Sequence, residues 1–170
     1  WNSQPTRQVI FEDLRIPASR RLGAEGDGFR FAMAGLDGGR LNIAACSLGG
    51  MQDALDRALA YTKERKQFGQ AIADFQATQF KLADMETETQ AARAMLYNAA
   101  QELDAKTPQA TRWCAMAKRF VTDTGFKVAN DALQLHGGYG YLSDYGVERI
   151  VRDLRVHQIL EGTNEVMRVI

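Results

Sequence analysis

Three long segments of this chain repeat small and apolar residues at steps of three and four. In the first, Leu41, Ala44, Leu48, Met51, Leu55 and Ala58 follow that rule. In the second, Leu82, Met85, Thr89, Ala92, Leu96, Ala99 and Leu103 follow it without a fault. In the third, Ala110, Cys114, Ala117, Val121, Gly125, Val128, Ala132 and Leu135 come close to it. Such steps place the residues on one stripe of each helix. Many of them are small, which permits close antiparallel packing. The expected fold class is therefore all-α, an antiparallel helical bundle.

The punctuation agrees with that reading. Phe68-Gly69 and Thr107-Pro108 separate the segments. Pro108 suits the first turn of the third helix, with Thr107 as its N-cap. His136-Gly137-Gly138-Tyr139-Gly140 ends that helix in a glycine turn. Ser143 is expected to cap a shorter helix over 144–155, and Thr163 or Asn164 to open a last one. Residues 7–16 mix β-branched and aromatic side chains and stop at Pro17, so they read as one or two short strands. A lone strand needs a sheet, so its partners are expected outside this chain. Gly23, Gly26 and Gly28 then mark a loop or boundary.

Lys+Arg and Asp+Glu number 21 each, so the formal net charge is zero. That argues against a nucleic-acid binder, which needs a basic footprint. No apolar run is long enough for a membrane span. The 170 residues suffice for one sizeable core. The chain lacks an initial Met and stops at Ile170 inside an apolar-periodic stretch, so a piece of a longer protein is expected.

The residues alone leave the chemistry open. Cys46 and Cys114 stand in no ligand spacing and read as two buried free thiols. His136 and His157 form no metal-ligand pair, so no metal is expected. The glycines at 137, 138 and 140 read first as a helix cap. Glu161, behind Ile159 and Leu160, is either a surface carboxylate at a helix entry or a base whose pKa its apolar neighbours raise. Arg65 and Lys66 either compensate a helix dipole or hold a phosphate, with Phe68 beside an aromatic ring. Asp37-Gly38-Gly39-Arg40 puts two glycines inside a helix, at about 1 kcal/mol each against Ala, which suggests the close approach of a helix or ligand.

The ordered set of motifs resembles the C-terminal half of the acyl-CoA dehydrogenase family. It comprises Arg-Lys-Gln-Phe-Gly at 65–69, Gln76, Gln-Leu-His-Gly-Gly-Tyr-Gly at 134–140, Arg152-Asp153 and Glu-Gly-Thr at 161–163. The opening Trp-Asn-Ser-Gln-Pro-Thr-Arg, Leu-Asp-Gly-Gly-Arg at 36–40 and His-Gln-Ile-Leu-Glu-Gly-Thr-Asn-Glu at 157–165 look most like its isobutyryl-CoA branch. The resemblance implies a four-helix bundle over 23–170, truncated at its C-terminus, preceded over 1–22 by a β remnant of a middle domain. It implies FAD as cofactor, acyl-CoA as substrate, and a homo-oligomer, a dimer of dimers, that shares FAD sites. It also implies an electron-transferring flavoprotein as acceptor, in the mitochondrial matrix of a eukaryote or the cytoplasm of a bacterium.

By that resemblance Glu161 is the base that removes the α-proton while the β-hydride moves to FAD. Some branches carry the base at the position of Gly39, and there the small residue leaves the role to Glu161. Asp37, Gly38, Gly39, Arg40 and Gly162 correspond to substrate contacts. Arg65, Phe68, Gln76, Gln134, Leu135, His136, Gly137 and Gly138 correspond to FAD contacts made across a dimer. Thr163, Asn164 and Glu165 correspond to FAD contacts within the subunit. The expected substrate is a short, branched acyl-CoA. A butyryl-type enzyme, an acyl-CoA oxidase and, for the isolated fragment, a non-catalytic oligomerisation module are the alternatives.

Overall fold

A computed structural model describes residues 6–170. The first five residues of the opening motif lie outside the described residues. Four α-helices dominate: α1 (Gly28–Glu64), α2 (Gln76–Asp104), α3 (Ala110–His136) and α4 (Val147–His157). Short 3₁₀ turns link them, at Ile72–Asp74, Gly137–Tyr141 and Ser143–Tyr145, and another follows α4 at Val166–Arg168.

Side-chain contacts give the direction of each helix. Lys81 pairs with Asp131 and Glu88 with Lys127, so α2 and α3 run antiparallel. Asp37 meets Thr111, and a Cβ on Gly125 would meet Ser47, so α1 and α3 run parallel. Gly50 faces Leu154 while Arg57 reaches the Tyr145 carbonyl, so α4 runs back against α1. The chain is thus an up-down-up-down four-helix bundle. No helix among the described residues is long and apolar enough to cross a membrane.

The stripes account for the core. Ala44, Leu48, Met51, Leu55 and Ala58 of α1 meet Met85, Ala92 and Leu96 of α2 and Val121, Val128 and Ala132 of α3. From α4, Val147, Ile150 and Leu154 close the cluster. Burying a side chain such as Met51 or Leu96 contributes about 1.5–3 kcal/mol. Thr89 and Thr122 stand on the same buried faces and hydrogen-bond back to the carbonyls of Met85 and Lys118. These bonds remove the penalty of a buried hydroxyl.

Several local expectations change. Residues 7–16 form no strand, and every one of them is exposed. The described strands are instead β1 (Lys66–Gln67) and β2 (Gln70–Ala71), an antiparallel hairpin between α1 and α2. Phe68 at φ 54° and Gly69 at φ 85° make its two-residue turn. Positive φ at both positions matches the right-handed twist of a hairpin. A helix break was the visible signal at Phe68-Gly69. The hairpin was missed because Phe rarely takes this conformation.

Thr107 does not cap α3, whose first helical residue is Ala110 with Gln109 before it. Its carbonyl accepts from the Ala110 amide, so Pro108 lies in the preceding turn. Ser143 opens a 3₁₀ turn, and the residue before α4 is Gly146 at φ 68°. Cys114 is buried but Cys46 is exposed, because the buried stripe of α1 passes through Ala44, Ser47 and Leu48.

Candidate functional site

The singled-out residues gather at two ends of the bundle. Arg40 and Arg65 are 25 positions apart on or just after one straight element, which at 1.5 Å per residue is about 37 Å. One ligand-sized site cannot include both.

At the first end, α1 carries Asp37, Gly38, Gly39 and Arg40. Arg40 is buried, and its guanidinium donates to Asp37 at 2.7 Å. Thr111 of α3 donates to the other Asp37 oxygen at 2.6 Å. Glu161 hangs over this segment. A Cβ added to Gly39 would lie 2.9 Å from the Glu161 carboxyl carbon and collide with Oε2. Gly39 is thus the seat of a loop carboxylate rather than of the helix or ligand that the two glycines suggested, and a Cβ on Gly38 would meet nothing within 4 Å.

The backbone carrying Glu161 is special. Glu161 has φ 57° and Gly162 has φ 88°. A non-glycine residue held there costs on the order of 1–3 kcal/mol, and such strain gathers at functional sites. The expected desolvation of Glu161 by Ile159 and Leu160 is not seen, since Glu161 is exposed and Ile159 is half exposed. Both precede it in sequence, but the carboxylate lies over Gly39.

Beneath the turn lies a residue that sequence reasoning missed. Lys118 of α3 is 0% exposed. Its Nζ donates to the Gly162 carbonyl and to Asn164 Oδ1, both at 2.7 Å. Burial pushes its pKa down to about 8, opposed by Asp123, Glu165 and Glu161. The signal was present in the run Cys114, Lys118, Thr122, Gly125, Ala129, which steps along a buried face of α3. A lysine on such a face must meet acceptors.

The depressed pKa gives a prediction. Below about pH 8 the lysine is charged in both folded and unfolded chains, and the cost of burying it is fully present. Between about 8 and its ordinary 10.5 the unfolded chain holds the extra proton, so stability from this group rises with pH. Urea midpoints of the native protein relative to Lys118→Met should therefore improve from pH 7.5 to 10. A constant difference would refute the linkage.

Asn164 is 3% exposed. Besides accepting from Lys118, its amide donates to Asp123 at 2.7 Å and Thr122 at 2.9 Å. Its side chain is thus occupied inside the chain, and its backbone amide and carbonyl also bond within it, to the Gln158 carbonyl and the Arg168 guanidinium. Thr163 and Glu165 border a cleft of about 220 Å³ with Arg155 and Arg168. Hydrogen bonds from its own amide and from Thr163 hold the Glu165 carboxyl below its ordinary pKa. Thr163 also opens the final turn, its Oγ1 accepting from the Val166 amide at 3.4 Å.

At the second end, a cavity of about 640 Å³ is lined by Tyr61, Arg65, Gln67, Ile72, Leu142 and residues 134–139. That volume lies within the range of small-molecule sites. Arg65, Gln134, Leu135, His136, Gly137 and Gly138 are thereby brought together, as the sequence suggested. The Arg65 guanidinium lies 5.2 Å from the Tyr139 ring centre. Nothing stands within 4 Å of a Cβ built on Gly137 or Gly138, so their backbone is open to approach. His136 is a packing residue as well: its ring stacks on Tyr61 at 4.4 Å and its Nδ1 bonds the Ala132 carbonyl at 2.8 Å. Tyr61 was not anticipated, and burial raises its hydroxyl pKa.

Phe68 and Gln76 do not line the cavity. Phe68 stands 94% exposed at the hairpin tip, edge-on to Phe75, and Gln76 is exposed at the start of α2. Among the described residues no group of three or more His, Cys, Asp and Glu side chains is placed to hold a metal ion.

A bundle with a carboxylate seated on a helix glycine at one end and an arginine-lined cleft at the other matches a known domain. The family model "Acyl-CoA dehydrogenase, C-terminal domain" matches residues 26–170, and the chain belongs to this family. Among relatives, it is 59% identical over its full length to the mitochondrial isobutyryl-CoA dehydrogenase of Dictyostelium discoideum, of which it covers 41%. It superimposes with TM-score 0.89 and 44% identity on butyryl-CoA dehydrogenase from Megasphaera elsdenii, covering 94% of this chain and 42% of that one. A chain solved in work on the electron-transferring flavoprotein of Acidaminococcus fermentans gives TM-score 0.90 and 49% identity, covering 94% of this chain and 42% of that one. The chain thus spans about two fifths of the length of the relatives it matches.

Proposed function

We propose that this bundle is the C-terminal part of an FAD-dependent acyl-CoA dehydrogenase acting on a short, branched acyl-CoA such as isobutyryl-CoA. The observation that carries the reading is the Glu161 carboxylate over Gly39, beside the Asp37–Arg40 pair. The 59% identity to an isobutyryl-CoA dehydrogenase supports the substrate class.

In this reading Glu161 accepts the α-proton of the thioester on its carboxylate oxygen. Gly162 keeps the backbone low at the thioester, and Arg40, neutralised by Asp37, borders the acyl-CoA. Glu161 is exposed in this chain, so the dry environment that proton abstraction from carbon requires comes with bound substrate and the cover of the rest of the enzyme. The 640 Å³ cleft fits an anionic nucleotide: Arg65 supplies a planar donor for phosphate, and the open backbone at Gly137 and Gly138 admits close approach. Among the described residues no carboxylate forms an ion pair with Arg65, which leaves it for such a partner. FAD, when bound, supplies the acceptor for the β-hydride.

The separation of about 37 Å between Arg40 and Arg65 supports sharing of cofactor sites between copies. The cleft at one end of α1 serves the FAD of a neighbouring subunit, while Thr163, Asn164 and Glu165 near Glu161 serve the chain's own. A homo-oligomer, reoxidised by an electron-transferring flavoprotein, follows. The expected location is the mitochondrial matrix in a eukaryote and the cytoplasm in a bacterium.

The test is turnover of isobutyryl-CoA against butyryl-CoA by the full-length, FAD-loaded enzyme. Preference for isobutyryl-CoA in kcat/KM is expected. Equal or greater activity on butyryl-CoA would remove the branched-chain assignment.

A further inference from the structure

The turn that presents Glu161 is held from below by one fully buried ammonium group. Lys118 Nζ donates to the carbonyl of Gly162, the residue directly after Glu161, and to Asn164 Oδ1. Asn164 is itself fixed. Its side-chain amide donates to Asp123 and Thr122, its backbone amide to the Gln158 carbonyl at 3.0 Å, and its own carbonyl accepts from Arg168 at 2.9 Å. The turn therefore has a rigid anchor on one side and a two-residue left-handed stretch on the other.

A lysine is an expensive way to fill this space. Met would occupy a similar volume without a buried charge. What Met cannot do is donate to a backbone carbonyl that no helix satisfies. Charged or titratable groups face the ammonium from every packed element: Arg40 from α1, Asp123 on α3, His157 from α4, and Glu161 and Glu165 from the loop. The carboxylates offset the desolvation of the cation, and the loop cannot shift without disturbing them.

We infer that Lys118 is a positioning residue for catalysis: it sets the turn at 161–162 and thereby aims the Glu161 carboxylate at the α-proton. This rests on the reading of Glu161 as the base. Lys118 touches neither substrate nor proton. It acts by keeping a strained turn in one attitude, as supporting groups do around precise sites.

The experiment uses the full-length, FAD-loaded enzyme and follows flavin bleaching by isobutyryl-CoA in anaerobic single turnover. Lys118→Met is expected to keep the flavin spectrum and half-saturating substrate within about threefold, while the limiting rate falls about 100-fold. Asn164→Ala removes one acceptor but leaves the lysine, and a fall of about tenfold is expected. In the Glu161→Gln background, Lys118→Met should add less than about threefold, because the two act as one unit.

A limiting rate within about threefold of native for Lys118→Met, or a fully additive double variant, overturns the inference. If Lys118→Met loses its flavin, Asn164→Ala decides alone, and an unchanged rate there overturns the inference. Near-normal bleaching by Glu161→Gln removes the base reading and this inference together. Near-normal bleaching by Lys118→Met beside an inactive Glu161→Gln removes this inference alone.

Discussion

Exchange of Glu161 for Gln is expected to slow acyl-CoA-dependent flavin reduction by about 10²–10⁴-fold, the usual contribution of a general base. The side chain keeps its volume and its seat over Gly39 but loses the ability to accept a proton. FAD content and the flavin spectrum should stay unchanged, because none of the proposed FAD contacts uses the Glu161 side chain. Substrate binding should persist as well, since Asp37 and Arg40 are untouched. Stopped-flow bleaching under anaerobic conditions separates these quantities. Turnover close to native in this variant would place the base at another residue.

The second large effect is expected from a single methyl group. Gly39→Ala puts a Cβ 2.9 Å from the Glu161 carboxyl carbon, with Oε2 nearer still. The obstructed atoms are the free end of a flexible side chain, so the fold can yield by moving the carboxylate. Helix α1 should tolerate the change or gain up to about 1 kcal/mol from the better helix former. Displacing a catalytic group by roughly 1 Å can cost about 10²-fold in rate. The expected result is an enzyme that melts no lower than native and works about a hundredfold more slowly. Gly35→Ala is the matched control, since a Cβ there meets nothing within 4 Å. Its helix should gain similarly with no loss of rate. Equal activity of the two variants would show that the Gly39 seat has no catalytic role.

The bundle was legible because its signal is periodic. One stripe on each of the three long helices, read at steps of three and four, names most of the buried hydrophobic side chains. Three features resisted for physical reasons. The hairpin at 66–71 turns on Phe68 at positive φ, a choice that side-chain preference disfavours. The segment at 7–16 has strand-like composition, yet composition does not supply hydrogen-bonding partners. The exposure of Cys46 depends on the rotation of α1, which a one-residue shift along the stripe decides.

The candidate site was legible in part of its membership and not in its arrangement. Glu161 and Gly39 are 122 positions apart, and their contact exists only once α4 has folded back along α1. Lys118 was hidden because α3 also carries Arg112, Arg119 and Lys127, among which one more cation reads as a surface residue. Its acceptors come from the loop beyond α4, and only the packed chain brings them beneath it. Asn164, expected as a cofactor contact, also closes that network with its side chain.

The abundance of alanine at the helix contacts bears on how the bundle stays ordered. Ala44, Ala54, Ala58, Ala92, Ala99, Ala117, Ala129 and Ala132 are all fully inaccessible. Each surrenders no rotamer freedom on folding, whereas a buried Met gives up on the order of 1.5–2 kcal/mol. Each also removes little apolar area from water, so the favourable sum must accumulate over distance. Helices of 37, 29 and 27 residues supply that distance. Small side chains at the contacts let helices approach closely, which leaves little room for lateral movement. Such a frame acts as a strut, suited to keeping the two proposed sites at its ends at a fixed separation.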